Sequence, residues 1–520
     1  MDPAKYTTLI ERVVELLDED DCGSEDEDPR AATWVWDRSH ENDDEIADII
    51  TQLVQGRAMY NAIDNGRESV EHFLDIFDRA RFHNAWNLSY DDNGLDANED
   101  HFLAYALNRD ASSATAVILI KYYQDMHIIH EVMDEIIRNS SVDVHLRLLV
   151  TCKRVMGTDV FVKEMQGDYL ACPIRSFMYR SYEPAMGILK DEFGMEICLK
   201  LASPPGPTSG SLLDNLITPM GSLYPGIPDD MRALNEFIEF LETHKEDVNM
   251  WDVFVYRYRE GEDVFKGGFL VNMLNKTRKR ATGQRGVLPH IPTDTEYTDV
   301  MEIIKRVLTL CQDEPHLCDK LILGTIATGV SALQNVVNMS STYTEKFNVS
   351  VDDVRWYADR FYESVYTLVA YLTPEGFKES LTKTSNSILV TGETILHLAA
   401  QQPHDSAMRV MFEVADEDTL SDALDVRQAL HAKYTPFLLA LSTSTAVTRY
   451  MAYSPKISNH QLNATFAGVT DENGVEINVE AALRRDEETP GPSRFMISQE
   501  TKEFLLNRRF RETAVKSARM

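Results

Sequence analysis

The stretch Gly392-Glu393-Thr394-Ile395-Leu396-His397-Leu398-Ala399-Ala400 decides how the rest of the chain is read. Gly392 suits a turn conformation that residues with a Cβ avoid. The Thr394 hydroxyl is placed to cap the helix that follows and to reach His397 across its first turn. Leu396, Ala399 and Ala400 supply a small apolar face against which a neighbouring helix can pack closely. Gln401-Gln402-Pro403 then breaks the helix, and Ala407, Val410, Met411 and Val414 recur at helical spacing on a second one. The reading is helix, turn, helix. One such unit cannot bury its own apolar face, so about three stacked units are needed for stability.

A second copy begins at Thr435-Pro436-Phe437-Leu438-Leu439-Ala440-Leu441. Together the two stretches resemble the opening of the ankyrin repeat, which runs T-P-L-H-x-A. Ile395 stands where that motif has proline, Lys433 where it has the turn glycine, and Leu438 where it has histidine. Thr394 and Thr435 lie 41 residues apart, against a repeat of about 33, which places an insertion near Asp416–Asp425. Fainter echoes start at Asn98-Glu99-Asp100-His101, with a second helix at Ala114–Tyr123, and at Asn473-Gly474-Val475 with Val479–Leu483.

The resemblance implies a binding scaffold that contacts a protein partner through its turns and inner helix face. Carried onto this chain, the turns fall at Leu389–Glu393 and Val426–Tyr434. The candidate partner-binding residues are Glu393, Gln401, Gln402, Arg427, Gln428, Lys433 and Tyr434. Ankyrin arrays also occur in secreted effectors of intracellular bacteria, joined to unfamiliar domains. By that analogy the chain would act in a host cell, with residues 30–380 as the unfamiliar part.

The chain has 520 residues, 43% of them hydrophobic, and a formal net charge of −33. This length suits several domains with cores that need no staples. So acidic a surface argues against nucleic-acid binding and favours a basic partner. The six cysteines, Cys22, Cys152, Cys172, Cys198, Cys311 and Cys318, form no CxxC and point to a reducing compartment. The N-terminus lacks a signal-peptide pattern, and polar residues interrupt the longest apolar run, Leu321–Val337. A cytoplasmic protein without a membrane span is expected.

Further out, the chain reads as helix after helix. Ile10, Val13, Val14 and Leu17 share a face of a helix over Tyr6–Leu17, before an acidic run from Asp18 to Pro29 read as a loop. That run lacks the residue order of a calcium loop. Helices follow over Ser112–Asp125, His127–Ile137 and Val144–Val155, and short strands are expected within Ile197–Leu201. The Pro/Gly-rich segment 203–229 reads as a linker or loop. Beyond it, Leu234, Phe237, Ile238 and Leu241 mark a buried helix face. Trp251–Tyr258 fits a strand or a continued helix. Tyr297–Leu310, Leu317–Val337, Val351–Leu372 and Pro374–Leu381 read as amphipathic helices, and Gln499–Lys516 as a basic tail helix.

The expected architecture is a mostly α, multi-domain helical protein with a C-terminal ankyrin-like helical repeat segment. Its parts are an acidic segment 1–44, a helical domain 45–202, the linker 203–229, a helical domain 230–382, ankyrin-like repeats 383–485 and a basic tail 486–520. Lys276, Arg278, Lys279, Arg280 and Arg285 form a weak candidate anion site. His127-x-x-His130 and Cys311-x6-Cys318 lack the spacing of known zinc motifs, and no metal or cofactor is expected. No serine-hydrolase elbow, kinase set, zincin motif or dinucleotide fingerprint is present, so no catalytic residue is named. Two other readings stand beside protein binding. One is a self-assembling capsid- or nucleoprotein-like protein; the other is an enzyme whose site lies within residues 30–380.

Overall fold

The computed structural model describes residues 3–20, 45, 49, 52, 58–79, 101–109, 114–167, 171–181, 183–202, 212–217, 231–254, 268–276, 294–324, 330–338, 351–384, 392–427, 434–458 and 499–507. The fold is mostly α, and no strand occurs among the described residues. No described helix is long and apolar enough to cross a membrane. The chain divides into two compact units, Met1–Leu216 with Met220–Phe240, and Ile217–Pro219 with Leu241–Met520.

The first unit is built from short helices turned at single glycines. Val142–Met156 passes into Thr158–Gln166 through Gly157, and Ala185–Phe193 into Met195–Ala202 through Gly194. The glycine N–H closes the preceding helix in both cases, Gly157 onto the Lys153 carbonyl at 3.0 Å and Gly194 onto the Lys190 carbonyl at 2.9 Å. Their dihedrals are φ 78°, ψ 169° and φ 86°, ψ 163°. That corner of backbone space is essentially open to glycine alone.

Charged and polar side chains then tie the helices together. Buried Asp134 on Ile129–Asn139 accepts from Ser176 on Pro173–Arg180 and pairs with Arg138 on its own helix. Gln166 donates to the carbonyls of Lys200 and Leu201, at 3.1 and 3.0 Å. Arg232 donates to the carbonyls of Tyr179 and Ser181, which Pro173–Arg180 leaves open at its C-terminus. The Glu236 carboxylate accepts from the Met186 N–H at 2.7 Å, near the start of Ala185–Phe193. Burial holds this carboxyl above its ordinary range.

In the second unit a column of short helices runs through the core. Ala332–Asn338 packs on Ile395–Ala400, which packs on Pro436–Thr443. A second column carries Val351–Ala370 against Ser406–Val414. Phe412 and Tyr450, 5.6 Å apart edge to face, link the latter to Thr445–Tyr453. Two more helices cover the first column. Pro374–Thr382 lies against Ile395–Ala400, and Glu417–Asp425 lies against Pro374–Thr382 and Pro436–Thr443. Thr373 caps the first of these and is itself held by Asp319.

Several expectations need correction. Ile197–Leu201 is part of the helix Met195–Ala202, because Ile197, Cys198, Leu201 and Ala202 share one buried helical face. Leu317–Val337 is not continuous: Pro315–Leu323 ends at Gly324, and a separate helix Ala332–Asn338 follows. Of the two readings left open for Trp251–Tyr258, the helix is the one found over Met250–Phe254. The stretch read as a linker contains the helix Leu212–Ile217, with Leu212, Leu213 and Leu216 buried. Val414, which shares the helical spacing of Ala407, Val410 and Met411, ends the helix Ser406–Val414 and is 42% exposed. The first helix runs on to Asp20, into the acidic run. The echo at Asn473, Trp251's neighbours 255–258 and the basic residues 508–519 lie outside the described residues.

A Cβ at Gly157 would meet nothing within 4 Å, so the demand there is on the backbone and not on space. Gly157→Ala is therefore expected to lower stability by about 1–3 kcal/mol in urea unfolding. Gly157→Asn should give no rescue, since asparagine relieves only the left-handed helical region. Wild-type stability in either variant would contradict this assignment of the corner.

Candidate partner-binding edge of the repeat stack

The turn that opens Ile395–Ala400 is built around His397. Gly392 takes a φ of 78°. The Thr394 N–H donates to His397 Nδ1 at 3.2 Å, and Thr394 Oγ1 lies 2.9 Å from the same nitrogen. The other ring nitrogen, Nε2, is 3.0 Å from the backbone carbonyl of Tyr434, in the turn that opens the next helix pair. An N–H can only donate and a carbonyl can only accept. The geometry therefore assigns the proton to Nε2 and makes the ring neutral. Burial drives the His397 pKa down to about 4. One imidazole thus caps its own helix and grips the following unit.

The same hydroxyl cap recurs along the column. Leu438 N–H donates to Thr435 Oγ1 at 3.4 Å. Ser331 and Gln334 form a complete reciprocal box: Gln334 N–H to Ser331 Oγ at 3.1 Å, and Ser331 N–H to Gln334 Oε1 at 3.0 Å. Sequence reasoning missed this third member. Its signal was present: Thr328-Gly329-Val330-Ser331-Ala332-Leu333-Gln334 parallels Thr391-Gly392-Glu393-Thr394-Ile395-Leu396-His397, with glutamine in place of histidine. The echo at Asn98 does form a helix pair, Phe102–Arg109 and Ala114–Asp125, but buried His101 itself accepts from the Leu103 N–H there. No hydroxyl takes that position.

The candidate residues separate into three groups. Glu393 and Gln401 are both half-buried and bonded to each other, Gln401 Nε2 to Glu393 Oε1 at 2.8 Å. Arg427 and Tyr434 are half-buried beside the same edge of sequence. Gln402 is not a surface residue, which corrects the sequence reading. It is 1% exposed, its Nε2 turned back to the Leu398 carbonyl at 2.8 Å, which also accepts from the Gln401 N–H at the end of the helix. Gln428 and Lys433 lie outside the described residues. So do Arg278, Lys279, Arg280 and Arg285 of the weak anion site, while Lys276 closes the helix Gly268–Lys276.

The inner helix face, the other surface expected to receive a partner, is not open. Every residue of Ile395–Ala400 is buried, with Pro374–Thr382 against the helix and Glu417–Asp425 continuing over Pro436–Thr443. Glu417–Asp425 falls where the long spacing between Thr394 and Thr435 had placed extra residues. Elsewhere, His130 Nδ1 is 3.3 Å from Glu164 Oε2. Buried Cys311 and Cys318 are free thiols, Cys318 pushed up to about 11 by burial. Among the described residues no group of three or more His, Cys, Asp or Glu side chains converges as a metal site. No family model, curated protein or solved structure matches the chain.

The His397 geometry has a pH signature. In the unfolded chain a histidine takes up its proton near pH 6.5, whereas in the fold it does so only near 4. This contribution to stability is complete above about pH 6.5 and is lost as the pH falls toward 4. The loss is on the order of 3 kcal/mol for a shift of this size. Buried His404, also lowered to about 4 by burial, adds to the same window. Urea unfolding followed from pH 7 to 4 should show the decline. His397→Gln should start less stable at pH 7 and lose less across that range. Identical slopes for variant and wild type would refute the assignment.

Proposed function

We propose that the chain is a protein-recognition protein whose ankyrin-like stack, residues 392–453 with a further unit beginning at Ser331, presents its turn edge to a partner. The recurrence of one hydroxyl-capped turn on stacked helices at Ser331, Thr394 and Thr435 supports this most directly. A stack of like units displays its turns side by side, which suits recognition of an extended surface. The covered inner face moves the contact to Glu393, Gln401, Arg427 and Tyr434, with Gln428 and Lys433 in the same turn of sequence. The net charge of −33 favours a basic partner and opposes a phosphate backbone. Action as an effector in a host cell is compatible with this build and rests on family analogy alone.

The test is affinity capture with the full chain as bait, comparing wild type with Glu393→Lys plus Tyr434→Ala. Val150→Ser, at an exposed position of the other unit, serves as the control. A partner held at the turn edge should be recovered about tenfold less with the double variant, an ordinary effect for one or two interface residues. It should be recovered equally with the control. Equal recovery with the double variant, its helical content unchanged, would remove the turn edge as the site.

A further inference from the structure

The helices Val351–Ala370 and Ser406–Val414 meet along a surface that carries tyrosines and charges together. Tyr366 is 47% exposed there. Its ring stacks on that of Tyr362 one turn earlier, with centroids 6.0 Å apart and planes 7° from parallel. The Tyr362 hydroxyl donates to Oε2 of Glu413 on the neighbouring helix, and Glu413 is itself exposed. The bond to Glu413 pushes the Tyr362 pKa up to about 12, so the phenol remains a donor at neutral pH. Two parallel rings and one carboxylate thus share an open patch of surface.

The same unit shows twice what such a setting holds. The Arg360 guanidinium lies over the Tyr297 ring, 4.6 Å from its centroid, with Glu363 near enough to favour its charge. The Arg409 guanidinium lies 5.9 Å from the centroid of Tyr450 and pairs with Asp405 at 3.0 Å. Each time one guanidinium meets a tyrosine face and a carboxylate. Tyr366, Tyr362 and Glu413 present the same two groups, yet among the described residues no cation lies over either ring. Arg409, one turn before Glu413, is already engaged by Asp405 and Tyr450. The net charge of −33 draws a basic segment towards the chain as a whole, but it gives no address. An open aromatic face does, and it favours the planar, weakly hydrated guanidinium over an ammonium.

We propose that Tyr366, with Tyr362 and Glu413, is a subsite for an arginine side chain of a basic partner protein, the guanidinium resting on the exposed tyrosine face with its charge towards Glu413. This rests on the reading of the chain as a binder of a basic protein, and it adds a contact on the outer helices to the one at the turn edge. The partner's arginine repeats an arrangement that the fold already uses for Arg360 and Arg409. Arginine is preferred to lysine because the ring, and not only the carboxylate, does the selecting.

Two labelled peptides of equal charge, Gly-Arg-Ser-Arg-Gly and Gly-Lys-Ser-Lys-Gly, titrated into the full chain test this. Salt is held at about 0.15 M, where distant exposed charges are largely screened. Wild type should bind the arginine peptide about three- to fivefold more tightly than the lysine peptide, the range expected for one exposed cation–π contact. Tyr366→Leu keeps the bulk and removes the ring face, and the ratio should fall to about one. Glu413→Gln should weaken both peptides and leave arginine ahead. Equal affinity of wild type for the two peptides, or binding of neither, overturns the proposal. So does an arginine preference that survives Tyr366→Leu. Glu393→Lys plus Tyr434→Ala separates the two surfaces. If that variant removes the preference and Tyr366→Leu does not, arginine is read at the turn edge, and this subsite fails while the turn-edge reading stands. Loss of the preference in Tyr366→Leu supports the subsite whatever affinity capture shows at the turn edge.

Discussion

A single neutral imidazole joins two turns at the centre of the second unit. His397 accepts from the backbone of its own turn through Nδ1 and donates to the Tyr434 carbonyl of the next through Nε2. The helix it opens, Ile395–Ala400, has only six residues, far below the length at which a helix persists in water. Its stability comes from neighbours on every side, and a hydrogen bond between units fixes where those neighbours sit. A protonated ring would have to donate from both nitrogens. The Thr394 N–H would then face another donor in a buried site, which is why burial and function of the bridge both require the neutral form.

What covers the stack limits the surfaces it exposes. Small residues at Ala399 and Ala400 allow close packing, and the covering helices Pro374–Thr382 and Glu417–Asp425 fill the side that an open repeat array would leave free. The cover is anchored firmly: Asp319 accepts from both the N–H and the hydroxyl of Thr373 at the start of Pro374–Thr382. With that side filled, the turn edge and the helices Val351–Ala370, Ser406–Val414 and Thr445–Tyr453 are the surfaces on which the proposed recognition rests. Of the large hydrophobic side chains exposed among the described residues, Tyr366, Val414 and Tyr453 all lie on outer helices of this unit. One of them, Tyr453, already holds the C-terminal helix.

Apolar spacing made most of the helices legible, because a stripe at i, i+3 and i+4 can be buried only one way. Leu234, Phe237, Ile238 and Leu241 are all buried on Arg232–Thr243, as their spacing implies. Spacing failed where two structures share a pattern or where a contact is distant. Ile197–Leu201 is apolar enough for a strand, and its helical face shows only against its partners. Gln402 reads as a polar turn residue, and its spacing does not show the bond back to the Leu398 carbonyl that accompanies its burial. The unit at Ser331 escaped notice because glutamine replaces histidine and 63 residues separate Ser331 from Thr394. The reciprocal cap needs a side chain that can accept, and Gln334 and His397 both can. The role of His397 in its own turn was legible; its grip on Tyr434 was not, because that bond joins residues 37 positions apart.

The most direct measurement of the account is native-state hydrogen exchange on wild type and His397→Gln, read at Ile395–Ala400 and at Pro436–Thr443. If the imidazole joins the two units, both helices lose protection together in the variant, although only one of them carries the substitution. If Pro436–Thr443 keeps its wild-type protection while Ile395–Ala400 loses it, the bridge does not couple the units, and the stack is held by apolar packing alone.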